Sequence, residues 1–209
     1  PIVAVCPGLR CTAQNLPGDR IHDIVRSRGW RLVSLGRRGH DKKLLAPRLD
    51  FFGNTHDTIL QLEWIAQEFP NAPVMLLGIS AGCCAVMLAL GNIGTRELNP
   101  ISPNGKAVPH IVAACNWCPG IDLRTCWDAM GDTWEGKCLE KIMYTNLKFT
   151  MSDNSDVLKG LDEEAYNACA NATSFRQFLD AHHRFAGFAT PDLYFKHICP
   201  RKKGPFITI

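Results

Sequence analysis

The stretch that most constrains this chain is residues 73–90, Pro-Val-Met-Leu-Leu-Gly-Ile-Ser-Ala-Gly-Cys-Cys-Ala-Val-Met-Leu-Ala-Leu. An apolar run meets a Gly-x-Ser-x-Gly pentad, with glycines at 78 and 82 around Ser80, and a second apolar run suited to a buried helix follows at once. No charged residue occurs between positions 71 and 92. Even so, Pro73, Gly78 and Gly82 divide the stretch into a short strand and a helix of about three turns, which argues against a single membrane span.

Strand, sharp turn and helix are the context in which this pentad presents a reactive serine. A residue at the tip of such a turn has strained backbone angles, and the positions two before and two after it must lack bulk so that strand and helix can approach. Gly78 and Gly82 occupy those positions. A helix that starts at Ser80 aims its unpaired N–H groups and the positive end of its dipole at the serine. Ser80 is therefore the candidate nucleophile, and the backbone N–H of Ala81 is one candidate oxyanion donor. The second candidate donor is the backbone N–H of Leu9, in the Pro7-Gly8-Leu9-Arg10 loop after the first strand, where Gly8 permits close approach.

Along the chain, apolar runs at 2–6, 31–35, 74–77 and 110–115 read as strands. Helical spacing marks 19–28 and a helix opened by Asn54-Thr55, with Thr58, Leu62, Ile65 and Ala66 on its buried face. Residues 99–109 read as a surface loop. From Asp122 the texture changes: helical patterns fill 124–149 and 163–185 with no strand between, which predicts a helical lid over 122–200. Residues 204–209, Gly-Pro-Phe-Ile-Thr-Ile, look like the start of a further strand. The alternation predicts an α/β fold, a parallel sheet flanked by helices, in one domain over 1–209. Ligands of such sheets bind outside the carboxyl ends of the strands, where Leu9, Ser80 and the loop 116–122 lie together.

With 209 residues and a formal charge of +3, nucleic acid is not an expected partner. The basic residues Arg37, Arg38, Lys42, Lys43 and Arg48 read as a solvated face. Of the ten cysteines, most read as small buried hydrophobes. Cys115 and Cys118 form one C-x-x-C without a second pair at zinc spacing, so no metal and no cofactor is expected. The chain opens at Pro1 directly in a strand-like run. This suggests a processed or partial chain, and upstream membrane anchoring is left open. Localisation is read as cytoplasmic or membrane-associated on the cytoplasmic side, with membrane contact through an N-terminal part or the lid.

Pro7-Gly8-Leu9, the Arg37-Arg38-Gly39 loop, Asn54-Thr55-His56-Asp57 and Gly78-Ile79-Ser80-Ala81-Gly82 together resemble the AB-hydrolase-4 group of α/β-hydrolase-domain proteins. So does Ser174-Phe175-Arg176-Gln177-Phe178-Leu179-Asp180 with the following Gly187-Phe188 and Asp192-Leu193-Tyr194-Phe195. The resemblance implies an α/β-hydrolase sheet with a lid, and hydrolysis of a carboxylic ester of monoacylglycerol or phospholipid type through an acyl-enzyme on Ser80. Ala81 stands where the group more often has methionine; only its N–H is used.

In that group the triad acid and histidine follow the last strand read here, so the resemblance implies final strands beyond position 209 and a 209-residue piece that is inactive alone. Within the chain His182, His183 and His197 are weaker candidates for the base: the first two are neighbours on a helix that reads as solvated, and His197 precedes the final strand. Asp122 is the corresponding candidate acid. Trp127, Trp134, Phe149 and Phe185 of the lid suit an acyl chain, although aromatic residues at helical spacing are more often core. The alternative function is a non-catalytic binding or scaffold protein on the same fold.

Overall fold

In this computed structural model, residues 1–12, 15–16, 19–93 and 101–199 are described. The apolar runs form strands where turn residues bound them. β1 (Ile2–Cys6) stops at Pro7-Gly8, β2 (Arg31–Ser34) follows Gly29 at φ 67, β3 (Val74–Ile79) follows Pro73, and β4 (Ile111–Trp117) gives way to Cys118 at φ 61. They make one parallel sheet in the order β2-β1-β3-β4. Parallel neighbours require crossover connections. These run through α1 (Asp19–Ser27), α2 (Thr55–Glu68) and α3 (Ala81–Ile93).

The period of two along each strand sorts the core. Ile2, Ala4, Cys6 and Leu76 pack with Ile59, Leu62 and Ile65 of α2 and Val86 of α3, whereas Val5 and Ile79 face the side that carries Leu16 and Ile21. β4 is different. It is as apolar as a strand buried on both faces, yet its residues 112–115 are exposed, Val112 at 51%.

Among the described residues, helices alone follow β4: α4 (Leu123–Met130), α5 (Trp134–Asp153), α6 (Ser155–Leu161), α7 (Glu163–Asn171), α8 (Phe175–His182) and α9 (Pro191–Ile198). Their starts are written in the sequence. Asp122, Thr133, Asp162, Ser174 and Thr190 each accept the backbone N–H three residues on, which satisfies a donor that the helix itself leaves unpaired. These helices share a second core with the loop 44–52: Phe51, Phe52, Trp127, Phe175, Phe178 and Tyr194 lie in it, and Ala81, Cys84 and the half-buried Leu9 join it. The helical layer therefore sits over the carboxyl ends of β1 and β3.

Several expectations change. The helix after β3 begins at Ala81, not Ser80. Asn54 makes no side-chain cap and instead donates to Asp57 at 2.6 Å, and Glu63, held by Ser102 and Asn104, takes the buried place on α2 read for Ala66, which is half-buried. The loop 101–109 lies on the surface as expected, with residues 101 and 103–107 exposed, and is anchored by the buried Ser102 and Val108 and by a bridge from Ile101 to Ala107. Cys6, Cys83, Cys84 and Cys169 are buried, but Cys115, Cys118, Cys126 and Cys138 are exposed, all as free thiols. The strand read at 204–209 lies outside the described residues. Among the described residues no helix is long and apolar enough to cross a membrane, and no cluster of metal-ligating side chains occurs.

Candidate active site

Ser80 follows β3 directly and has φ 53, in the left-handed region that a residue with a Cβ adopts only under constraint. Its N–H donates to the Trp117 carbonyl at the end of β4 and its carbonyl accepts from Cys83 N–H, so the turn is tied to both the sheet and α3. Ser80 itself is exposed. The glycines around it are required by contact. A Cβ on Gly78 would lie 2.7 Å from Cys83 Cα and 2.4 Å from Asn116 Oδ1, and one on Gly82 would lie 2.0 Å from the Cys6 carbonyl oxygen.

Gly8 brings the loop after β1 against the serine: a Cβ there would lie 3.2 Å from Ser80 Cβ and 3.8 Å from its Oγ. Leu9 follows in that loop and Ala81 is the first residue of α3, whose leading N–H groups have no partner within the helix. The three sequence-derived candidates, Leu9, Ser80 and Ala81, thus come from adjacent parallel strands and meet at one end of the sheet.

A residue that sequence reasoning placed on the surface helps hold this arrangement. Arg37 is only 6% exposed; it donates to the Pro7 carbonyl at 3.3 Å and to the Phe51 carbonyl, and so ties the Gly8 loop to the loop 49–53. That second loop is turned by the buried Asp50, whose Oδ1 accepts from Phe52 N–H at 3.0 Å, Gly53 N–H at 2.8 Å and the Tyr194 hydroxyl at 3.1 Å. Burial and the neighbouring Asp50 carboxylate push the Tyr194 hydroxyl well above its ordinary pKa, so it stays a neutral donor. Tyr194→Phe removes that donor and leaves Asp50 with its two amides. The expected loss is about 1 kcal/mol, read as a lower urea midpoint at unchanged slope. Arg38, next along, pairs with Asp57 through two bonds of 2.8 and 2.6 Å.

The histidines are placed elsewhere. His182, read as solvated, is fully buried, stacked on Phe178 at 5.7 Å and close to Phe51, and neither of its ring nitrogens has a hydrogen bond of good geometry. His183 Nδ1 lies 2.7 Å from the Asp180 carbonyl, and His197 Nε2 lies 3.1 Å from the Gly53 carbonyl. Asp122 caps α4. Among the described residues, none of these rings is hydrogen-bonded to Ser80. Cys115 and Cys118 are exposed free thiols.

Two cavities lie away from Ser80. One of about 310 Å³ opens between α5 and α7, lined by Phe149, Met151 and Tyr166; the other, of about 220 Å³, lies at the start of α2, lined by Arg48, His56 and His197.

A parallel sheet flanked by helices defines an α/β fold, and here its central strand delivers an exposed serine through a left-handed turn. Part of the chain is similar to three curated proteins, each called Phospholipase ABHD3. The human and mouse proteins are 28% identical and the bovine protein 29% identical over 97 residues, a stretch that covers 46% of this chain and 24% of each relative. The chain thus matches about a quarter of the length of the curated relatives. No family model matches it. The likeness supports kinship at the level of the α/β-hydrolase superfamily.

Proposed function

We propose that this chain belongs to a serine hydrolase that cleaves carboxylic esters of lipid type, monoacylglycerol or phospholipid, through an acyl-enzyme on Ser80. The observation that carries the reading is the exposed, left-handed Ser80 with Gly8 packed against it at the mouth of a helix. Ser80 Oγ attacks the ester carbonyl, the N–H groups of Leu9 and Ala81 receive the developing oxyanion, and a histidine takes the serine proton and returns it to the leaving alcohol. In this reading the histidine and its orienting acid come from chain beyond position 209, because the histidines of the helical layer are engaged or sealed. The phospholipase relatives support the lipid character of the ester.

A fluorophosphonate probe tests this on the parent protein. Labelling is expected for the parent and lost in Ser80→Ala, and the 209-residue chain is expected to turn over no ester. Labelling that persists in Ser80→Ala, or a parent that never labels, overturns the proposal. The second reading is a non-catalytic binding protein on the same fold, favoured by two cavities that Ser80 does not line, and an unlabelled parent supports it.

A further inference from the structure

α5 is apolar on both sides. Leu147, Thr150 and Met151 turn inward and are buried. On the opposite side Trp134, Ile142 and Phe149 are 72%, 60% and 57% exposed. These positions, with Cys138 between them, recur at helical spacing, so they form one stripe along the outward face. At 100° per residue, Lys137, Lys141 and Lys148 fall together along one margin of that stripe. Lys137 and Lys141 are exposed, whereas Lys148 reaches the Ala172 carbonyl at 2.5 Å.

A helix that is apolar on its outer face as well as its inner one is missing a partner. β4 leaves apolar side chains exposed too, but among the described residues it is the last strand of the sheet, a surface that suits more polypeptide. The α5 stripe instead has aromatic and aliphatic residues with the exposed ammonium groups of Lys137 and Lys141 on one margin and the exposed carboxylates of Glu135 and Asp153 at its ends on the other; the lysine margin gives the pattern of a helix lying in the plane of a bilayer over anionic headgroups. Phe149 of the stripe also lines the cavity of about 310 Å³ between α5 and α7. The end of the stripe also meets the Gly8 loop: the Arg10 guanidinium lies 5.8 Å from the Phe149 ring centre and 3.6 Å from Asp153.

We infer that the outward face of α5 is a docking surface for an anionic lipid membrane, with Trp134, Ile142 and Phe149 entering the headgroup boundary and Lys137 and Lys141 pairing with lipid phosphates or carboxylates. The inference rests on this surface and not on the chemistry proposed for Ser80.

Sedimentation of the full 209-residue chain with phosphatidylcholine vesicles, with and without about 30 mol% phosphatidylserine, tests it. Binding is expected to be stronger to the anionic vesicles and to weaken with salt. The Lys137→Glu, Lys141→Glu pair is expected to weaken binding to the anionic vesicles tenfold or more. The Ile142→Glu, Phe149→Glu pair is expected to weaken it to both. All four side chains are exposed or border solvent, and an unchanged thermal midpoint certifies the variants as folded. Trp134 emission is expected to shift to the blue on binding, and Ser80→Ala to bind as the parent chain does, which separates this result from the hydrolase reading. Three results would overturn the inference. The chain stays in the supernatant with anionic vesicles, both double variants bind like the parent, or the stripe proves to be covered by a second copy, seen as a dimer that the Ile142→Glu, Phe149→Glu pair splits.

Discussion

Gly82→Ala is expected to destabilise the fold by about 3 kcal/mol or more, at the upper end for a single methyl group. The added Cβ would sit 2.0 Å from the Cys6 carbonyl oxygen, 2.6 Å from its carbon and 2.7 Å from the Pro7 oxygen. All three are backbone atoms, so no rotamer change relieves the contact. Nor can the strand yield easily, since Cys6 pairs with Gly78 in the centre of the sheet. Either α3 lifts from β1 or the end of β1 bends, and both movements disturb the packing of Gly8 on Ser80. Thermal unfolding should show a midpoint lowered by roughly 6–12 °C, taking 2–4 °C per kcal/mol for a domain of this size. Gly160→Ala is the internal control: nothing lies within 4 Å of its added Cβ and the position is helical, so it should gain about 0.5–1 kcal/mol. A Gly82→Ala protein that melts with its parent would mean that helix and strand do not approach as closely as described.

The same glycines explain why the centre of this fold is legible in the sequence. A pentad between two apolar runs leaves little freedom: Val74 onward must be strand, Ala81 onward must be helix, and the residue between them must turn sharply, which is what the φ of Ser80 records. β1 is legible for a related reason, a run bounded by Pro-Gly. The layer after Asp122 is legible only as helix: its pattern reads as two runs, 124–149 and 163–185, whereas the structure breaks the first before Trp134 and the second before Phe175, at starts capped by Thr133 and Ser174, and adds α6 and α9. What is not legible is burial that depends on distant parts of the chain. Arg37 stands in a basic cluster and reads as surface, but its donors find the carbonyls of Pro7 and Phe51, one on each side of the site. The neighbouring His182 and His183 give no periodic signal to say which one turns inward, and only the surrounding Phe51, Phe178 and Tyr194 decide it. The outward stripe of α5 escapes for the opposite reason: its spacing reads as core, and the structure leaves it exposed.

The buried His182 makes a strong prediction about acid. Burial, aided slightly by His183, pushes its pKa down to about 3, and the Leu49 backbone opposes this only in part. His40 behaves similarly, also lowered to about 3 by burial and by the Arg37 charge, with its Nε2 unpaired. Both rings are therefore neutral in the folded chain at pH 5, whereas in the unfolded chain they protonate below about pH 6.5. In that interval the unfolded state binds more protons, so stability must fall as pH falls, from the unfolded pKa down toward the folded one. Between pH 7 and pH 5 the loss from His182 is about 2 kcal/mol, with a smaller addition from His40, which is only half-buried. Carboxylates do not confuse the measurement. Asp57 and Glu63, whose pKa values are lowered by Arg38 and Asn54 and by Ser102 and Asn104 respectively, lose their contribution only below their ordinary range near pH 4. Urea denaturation at the two pH values measures the difference. In His182→Phe the dependence between pH 7 and pH 5 should shrink to the smaller share of His40. Because the aromatic ring replaces a buried group with unsatisfied nitrogens, that variant should be at least as stable as the parent at pH 7. If the parent chain is equally stable at pH 7 and pH 5, His182 is hydrated or hydrogen-bonded in solution, and the aromatic seal between α8 and the loop 49–53 is not closed.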